Sequence, residues 1–141
     1  MNEVKTCVFD ATDENMDNVN NFIHSMLPAG VDKTLLNKLD LAVEEIYINI
    51  AHYAYHPEQG TVEILCDRKE NEGKVQLSIT FKDKGKPFNP LEREDPDITL
   101  SAEERDIGGL GILLTKKFMD NVTYSYSEGQ NILTLYKELT F

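Results

Sequence analysis

Apolar positions along the chain follow two different periods. From Leu35 to Tyr53 they recur every three or four residues. At 100° per residue Leu35, Leu39, Val43, Ile46, Ile50 and Tyr53 make one stripe, which predicts a long amphipathic helix ending near Tyr55. Asp32 is suited to cap its start, and Pro57 and Gly60 lie beyond its end. A second amphipathic helix is predicted over Met16–Leu27, where Val19, Phe22, Ile23, Met26 and Leu27 fit a helical period and Pro28-Ala29-Gly30 stops it. Elsewhere the period is two. Val4, Val8 and Phe9 alternate weakly and predict an edge strand over Glu3–Phe9. Val62, Ile64 and Cys66, then Val75, Leu77, Ile79 and Phe81, predict two strands joined by a polar turn over Arg68–Gly73. Gly108 opens a third helix through about Asp120, carrying Ile112, Leu113, Phe118 and Met119. A last hairpin then turns at Ser127–Gln130 between Val122, Tyr124, Tyr126 and Ile132, Leu133, Leu135, Tyr136, Leu139.

The order strand, helix, helix, hairpin, loop, helix, hairpin argues for an α+β fold. It predicts a two-layer sandwich in which a mostly antiparallel sheet is covered on one face by helices. With 141 residues and no internal repeat or dividing linker, residues 1–141 read as a single domain. One stretch breaks the periodicity. Asp83 to Ile107 carries three prolines and charges of both signs, with room for a short helical turn around Ser101–Arg105. A segment of that length inside a compact domain is expected to be functional or mobile.

Composition narrows the partners. The chain is 40% apolar and 28% charged, an ordinary globular balance. Its net charge is -11, from 25 acidic and 14 basic residues, so phosphate backbones and anionic membrane surfaces would repel it. Neither nucleic acid nor a membrane is an expected partner, and a bound nucleotide would need a metal ion to offset its charge. No basic-then-apolar leader and no run of 18 apolar residues is present, which predicts a soluble intracellular, cytoplasmic protein. Cys7 and Cys66 are far apart and without CxxC spacing, and His24, His52 and His56 show no metal-ligand spacing.

Three stretches carry chemistry. Glu45 and Asn49 stand four residues apart along one edge of the helical stripe, so a carboxylate and an amide leave the same face and can jointly hold a hydroxyl, a water or a hydrated cation. Asp83-Lys84-Gly85-Lys86-Pro87-Phe88 sits where a strand runs out. There an aspartate can accept a hydrogen bond from an amino group, and glycine allows close backbone approach. Gly108-Gly109-Leu110-Gly111 opens a helix, and small residues there leave backbone N–H groups free to face an anion. A solvated pair, a plain turn and a flexible helix entry are the alternatives that each stretch allows alone.

Taken in order, these stretches resemble the N, G1 and G2 boxes of the GHKL ATPase superfamily. Within it, Ala42-Val43-Glu44-Glu45-x-x-x-Asn49 and the terminal hairpin are similar to the anti-sigma factor serine/threonine protein kinases. The resemblance implies a Bergerat-type sandwich binding ATP and Mg2+. Asn49 would hold the magnesium ion, Glu45 would be the base orienting the acceptor hydroxyl, and Asp83 would read the adenine amino group, with Gly85 letting the base approach. Gly109, Leu110 and Gly111 would line the phosphates. Residues of about 89–107 would form an ATP lid, with Arg105 toward the γ-phosphate. The protein substrate would be a partner of the anti-sigma-factor-antagonist type, with a sigma factor as a second target and a homodimer as the assembly. The chain departs from the family pattern at Tyr53, where a histidine is common, and at Lys84 and Lys86, which read as solvated. Glu44 competes with Glu45 as base, and the helical angle favours Glu45. A nucleotide-gated binding module without phosphoryl transfer is the alternative function.

Overall fold

The computed structural model describes residues 2–92 and 109–139. Five strands and three helices appear in the predicted order: β1 (Asn2–Asp10), α1 (Met16–His24), α2 (Lys33–Asn49), β2 (Thr61–Asn71), β3 (Lys74–Asp83), α3 (Gly109–Phe118), β4 (Asn121–Ser127) and β5 (Gln130–Leu139). The sheet runs β1-β2-β3-β5-β4 with every pair antiparallel, so the weakly alternating first strand is indeed an edge. The protein is α+β, with helices packed on one face of the sheet.

Alternation fixes which face is covered. Val62, Ile64 and Cys66 on β2 and Val75, Leu77, Ile79 and Phe81 on β3 are fully or almost fully buried, while Glu63, Gln76, Ser78, Thr80 and Lys82 point away from the helices. Burial pushes the Cys66 thiol up to about 12, which makes it an inert core residue. Both hairpins close on the same two-residue turn. Glu72-Gly73 and Glu128-Gly129 each hold two successive positive φ angles, the twist that a tight antiparallel hairpin requires.

The helices dock as their stripes demand, with two differences from expectation. The predicted Met16–Leu27 helix ends at His24 and continues to Leu27 as turns, in which the Met26 and Leu27 N–H groups bond the carbonyls of Ile23 and His24. Asp32 caps α2 as expected, accepting from the Leu35 N–H at 3.2 Å, and Leu39, Val43, Ile46 and Ile50 are buried. After Asn49, however, the helix widens into π-helical turns over Ile50–Ala54. The extra residue per turn rotates the succeeding side chains out of phase, so Tyr53 is 65% exposed instead of continuing the stripe. Tyr47, absent from that stripe, is fully buried. Its hydroxyl donates to the Thr12 carbonyl at 2.6 Å and accepts from the Thr12 N–H at 3.1 Å, tying the exit of β1 to the middle of α2.

Replacing Tyr47 with Phe removes these bonds, while the Thr12 N–H keeps its bond to the Asp10 carbonyl and the Thr12 carbonyl keeps that from the Asn15 N–H. The expected loss of stability is about 0.5–1.5 kcal/mol, read as a lowered urea midpoint at unchanged slope. An unchanged midpoint would mean that the Tyr47 hydroxyl contributes nothing net to stability.

Candidate functional site

The helix layer and the sheet separate around a cavity of about 400 Å³. Ile46 and Asn49 of α2 line it from above, joined by Ile50, Tyr53 and Ala54 of the π-helical turn and Ile112 of α3. Phe81 and Asp83 of β3, Tyr124 of β4 and Asn131 and Leu133 of β5 form the sheet side, and Lys86, Phe88 and Pro90 close the rim. The lining is mostly apolar with a few polar groups, the composition of a small-molecule site.

Two of the predicted residues, Asn49 and Asp83, face this cavity, one from each layer. Asn49 Nδ2 donates to Glu45 Oε1 at 3.2 Å, so the i, i+4 pair meets as its spacing requires and the amide oxygen of Asn49 is left as an acceptor. Glu45 is half-buried and lies beyond Asn49, against the first turn of α3. A Cβ added at Gly111 would collide with the Glu45 carboxylate. The N-terminal turn of α3, which begins with Gly109, Leu110 and Gly111, therefore comes up to the Glu45–Asn49 pair. Arg105, Gly108, the turn at Ser101–Arg105 and residues 93–107 of the expected lid lie outside the described residues. The lid's first residues are described, and Pro90 is buried in the rim of the cavity.

Gly85 is held by a constraint of its own. A Cβ there would strike the Ala54 backbone carbonyl, the same carbonyl that accepts from the Lys86 N–H at 2.9 Å. The glycine is required because the loop after β3 runs directly against the end of the π-helical turn. Tyr55 locks the same junction, donating to the Thr61 carbonyl at 2.6 Å and accepting from the Lys84 N–H at 2.8 Å. Lys84 and Lys86 are both exposed, and Lys86 reaches the rim.

Asp83 is 5% exposed. Its Oδ1 accepts from the Gly85 N–H at 2.9 Å and from Asn131 Nδ2 at 3.0 Å. Burial raises its pKa above the ordinary carboxylate range, and the bonds from Asn131 and then Gly85 pull it partly back. Asn131 itself was not a sequence-predicted site residue, nor was Tyr124, whose hydroxyl bonds Asn131 Oδ1. A signal for Asn131 did exist. Strand alternation puts it on the same face as Leu133 and Leu135, and a polar side chain in a core register directly opposite Asp83 marks a buried polar pair. Among the described residues no group of three or more His, Cys, Asp or Glu side chains is arranged to hold a metal ion.

The molecule is thus an α+β sandwich with an apolar cleft between its helices and its antiparallel sheet, faced by an amide and a carboxylate from the two layers. The chain belongs to the histidine kinase-like ATPase domain family, which matches residues 9–137. It is 28% identical over 97 residues to the serine/threonine-protein kinase BtrW of Bordetella bronchiseptica, covering 69% of this chain and 66% of that protein. It is 29% identical over 109 residues to the serine-protein kinase RsbW of Listeria monocytogenes, covering 74% of this chain and 68% of that protein. The matches thus span about two thirds of these relatives' length. Its fold is similar to a crystal structure of the RsbU and RsbW domains of a Mycobacterium tuberculosis protein, with a TM-score of 0.59 at 16% identity over 97% of this chain and 32% of that one.

Two substitutions separate the roles of the glycines. Gly85→Ala meets rigid backbone and is expected to cost about 1–3 kcal/mol, whereas Gly111→Ala meets only the end of a side chain and gains helix propensity, so the fold should hold its stability. Equal denaturation midpoints for the two would disprove the contact with Ala54. Asp83→Asn tests the buried charge. Because the folded-state pKa of Asp83 is raised, the favourable linked term is complete below the unfolded carboxylate range and is lost as pH rises through the raised value. The Asn variant keeps an Oδ1 acceptor without the charge. It should therefore unfold at a higher urea concentration than the wild type at pH 7, by a margin that shrinks toward acidic pH. A margin independent of pH would refute the charge explanation.

Proposed function

We propose that the chain is a serine/threonine protein kinase that binds Mg-ATP in this cavity and passes the γ-phosphoryl group to a hydroxyl of a protein partner of the anti-sigma-factor-antagonist type. The observation that carries the reading is the pairing of Asn49 and Asp83 across one apolar cleft of nucleoside size, in a chain of the histidine kinase-like ATPase family. The purine would lie between Ile46 and Ile50 on one side and Phe81 and Leu133 on the other, with its amino group donating to Asp83. Gly85 keeps the loop beside Asp83 close to the helix end, so the base can approach.

The donor set fits a substrate-held magnesium ion. Such an ion takes one or two protein ligands and fills its octahedron with phosphate oxygens and water. Asn49, whose Nδ2 is committed to Glu45, offers its Oδ1 for that purpose. When bound, the ion neutralises charge on the triphosphate, which an acidic chain does not do by itself. Glu45 accepts the proton of the attacking hydroxyl and orients it. The backbone of Gly109, Leu110 and Gly111 at the start of α3 faces the phosphates. Arg105 and the 89–107 lid complete the γ-phosphate environment. Phosphorylation would weaken the partner's grip and free this protein for a second target, for which a sigma factor is the proposed class. Action in the cytoplasm, as a homodimer, is part of the same proposal. Among the described residues no helix is long and apolar enough to cross a membrane.

Calorimetry with ATP and ADP, with and without magnesium, tests the site, and labelled ATP with the partner tests transfer. Asp83→Ala should lose most nucleotide affinity, and Asn49→Ala should lose the magnesium dependence. Glu45→Gln should bind nucleotide as the wild type does while transferring phosphoryl about 10²–10⁴-fold more slowly. Transfer by Glu45→Gln at the wild-type rate would remove Glu45 as the base. Tight nucleotide binding by the wild type without transfer to any hydroxyl would favour a nucleotide-gated binding module.

A further inference from the structure

Asn131 occupies a position in β5 where its carboxamide uses all of its hydrogen-bonding capacity on fixed partners. Nδ2 donates to the Lys86 carbonyl at 2.8 Å and to Asp83 Oδ1 at 3.0 Å. Its Oδ1 accepts from the Phe88 N–H at 3.0 Å and from the Tyr124 hydroxyl. Two of these partners are backbone groups with no choice of role, since a carbonyl only accepts and an N–H only donates. The amide therefore cannot turn over, and the group it presents to Asp83 must be a donor. Asn131 is 6% exposed, so water does not substitute readily for any of the four bonds.

The consequence falls on Asp83. Its Oδ1 has both acceptor positions filled, by Asn131 and by the Gly85 N–H. No hydrogen bond to Oδ2 occurs among the described residues, and Asp83 lines the cavity. Oδ2 is thus the edge that a ligand meets. We infer that Asn131 is a positioning residue that gives the base site its polarity: it holds Asp83 as an acceptor at Oδ2, so the cavity takes purines with an amino group at C6 and refuses those with a carbonyl there. This inference rests on the nucleotide reading of the cavity and adds the residue that sets its selectivity. Without Asn131 the carboxyl group is held at Oδ1 by the Gly85 N–H alone and, buried as it is, can turn, take up a proton and donate. A 6-oxopurine would then be accepted as well.

The test is the ratio of ADP to IDP affinity, measured by calorimetry on the full chain. The two ligands differ at C6, amino against oxo, and in the protonation of the adjacent ring nitrogen. The wild type should prefer ADP by about tenfold to a hundredfold, the range for leaving a buried polar group unpaired. Asn131→Leu, of similar volume, should bring the two affinities within about threefold of each other. Asp83→Asn with Asn131 in place is the second variant. Its Oδ1 is still claimed by Asn131 and Gly85, its amide nitrogen must face the ligand, and the preference should turn over to IDP. A merely structural role for Asn131 would lower both affinities in Asn131→Leu and leave their ratio unchanged, which would overturn the assignment. Loss of both ligands by Asp83→Asn without inversion would also overturn it. A folded wild type that binds neither ADP nor ATP would instead sink the nucleotide reading, and this inference with it.

Discussion

The contact on which the site depends is the one between the end of the long helix and the end of β3. The carbonyl of Ala54 meets the Gly85–Lys86 backbone so closely that no side chain fits at position 85. Tyr55, the next residue, bridges the start of β2 and the exit of β3 with its hydroxyl. These contacts set the distance between the two layers at one end of the sandwich. Asn49 lies just before this junction on the helix and Asp83 just before it on the strand. The width of the cavity between them is thus fixed by backbone contact, which is stiffer than side-chain packing. On the sheet side, Asn131 carries the same loop on its amide, so the segment 85–88 is pinned from above and from below.

The cavity also shows where stability is given up. A core of Val, Ile, Leu and Phe continues to the level of Phe81 and Leu133 and then is interrupted by Asp83 and Asn131. Burying a carboxylate raises its pKa and opposes folding at neutral pH. The two residues are nonetheless cross-strand partners with almost every polar atom matched, which confines the cost to the one oxygen that faces the cavity. Buried polar pairs of this kind specify an arrangement more than they stabilise it.

Much of this architecture was legible in the residues. The period-two and period-3.6 segments gave the element order, because each element buries one face and the pattern records it. Asp32 and the pair Glu45 and Asn49 could be singled out from local spacing, and Asp83 from the order of the three stretches taken together. The features that stayed hidden depend on contacts between distant segments. The π-helical turn that exposes Tyr53 ends against the Gly85 loop, a contact no helical wheel contains. Tyr47 lies off the helical stripe, and its partner is the Thr12 backbone, 35 residues away. The need for glycine at 85 was visible, yet the neighbour that imposes it, Ala54, was not. Asn131 escaped because its importance lies in four partners drawn from three parts of the chain.

The π-helical turn and the two hairpin turns differ in what they allow when the gene gains or loses a codon. The Glu72-Gly73 and Glu128-Gly129 tips stand in solvent with nothing packed on their glycines, so added residues there lengthen a loop at small entropic cost. Residues 50–54 have no such freedom. Removing one would rewind the segment toward α-helical phase, turn Tyr53 inward and carry the Ala54 carbonyl away from Gly85. Homologous chains that keep this cavity should vary in length at the hairpin tips and keep the number of residues between Asn49 and Tyr55.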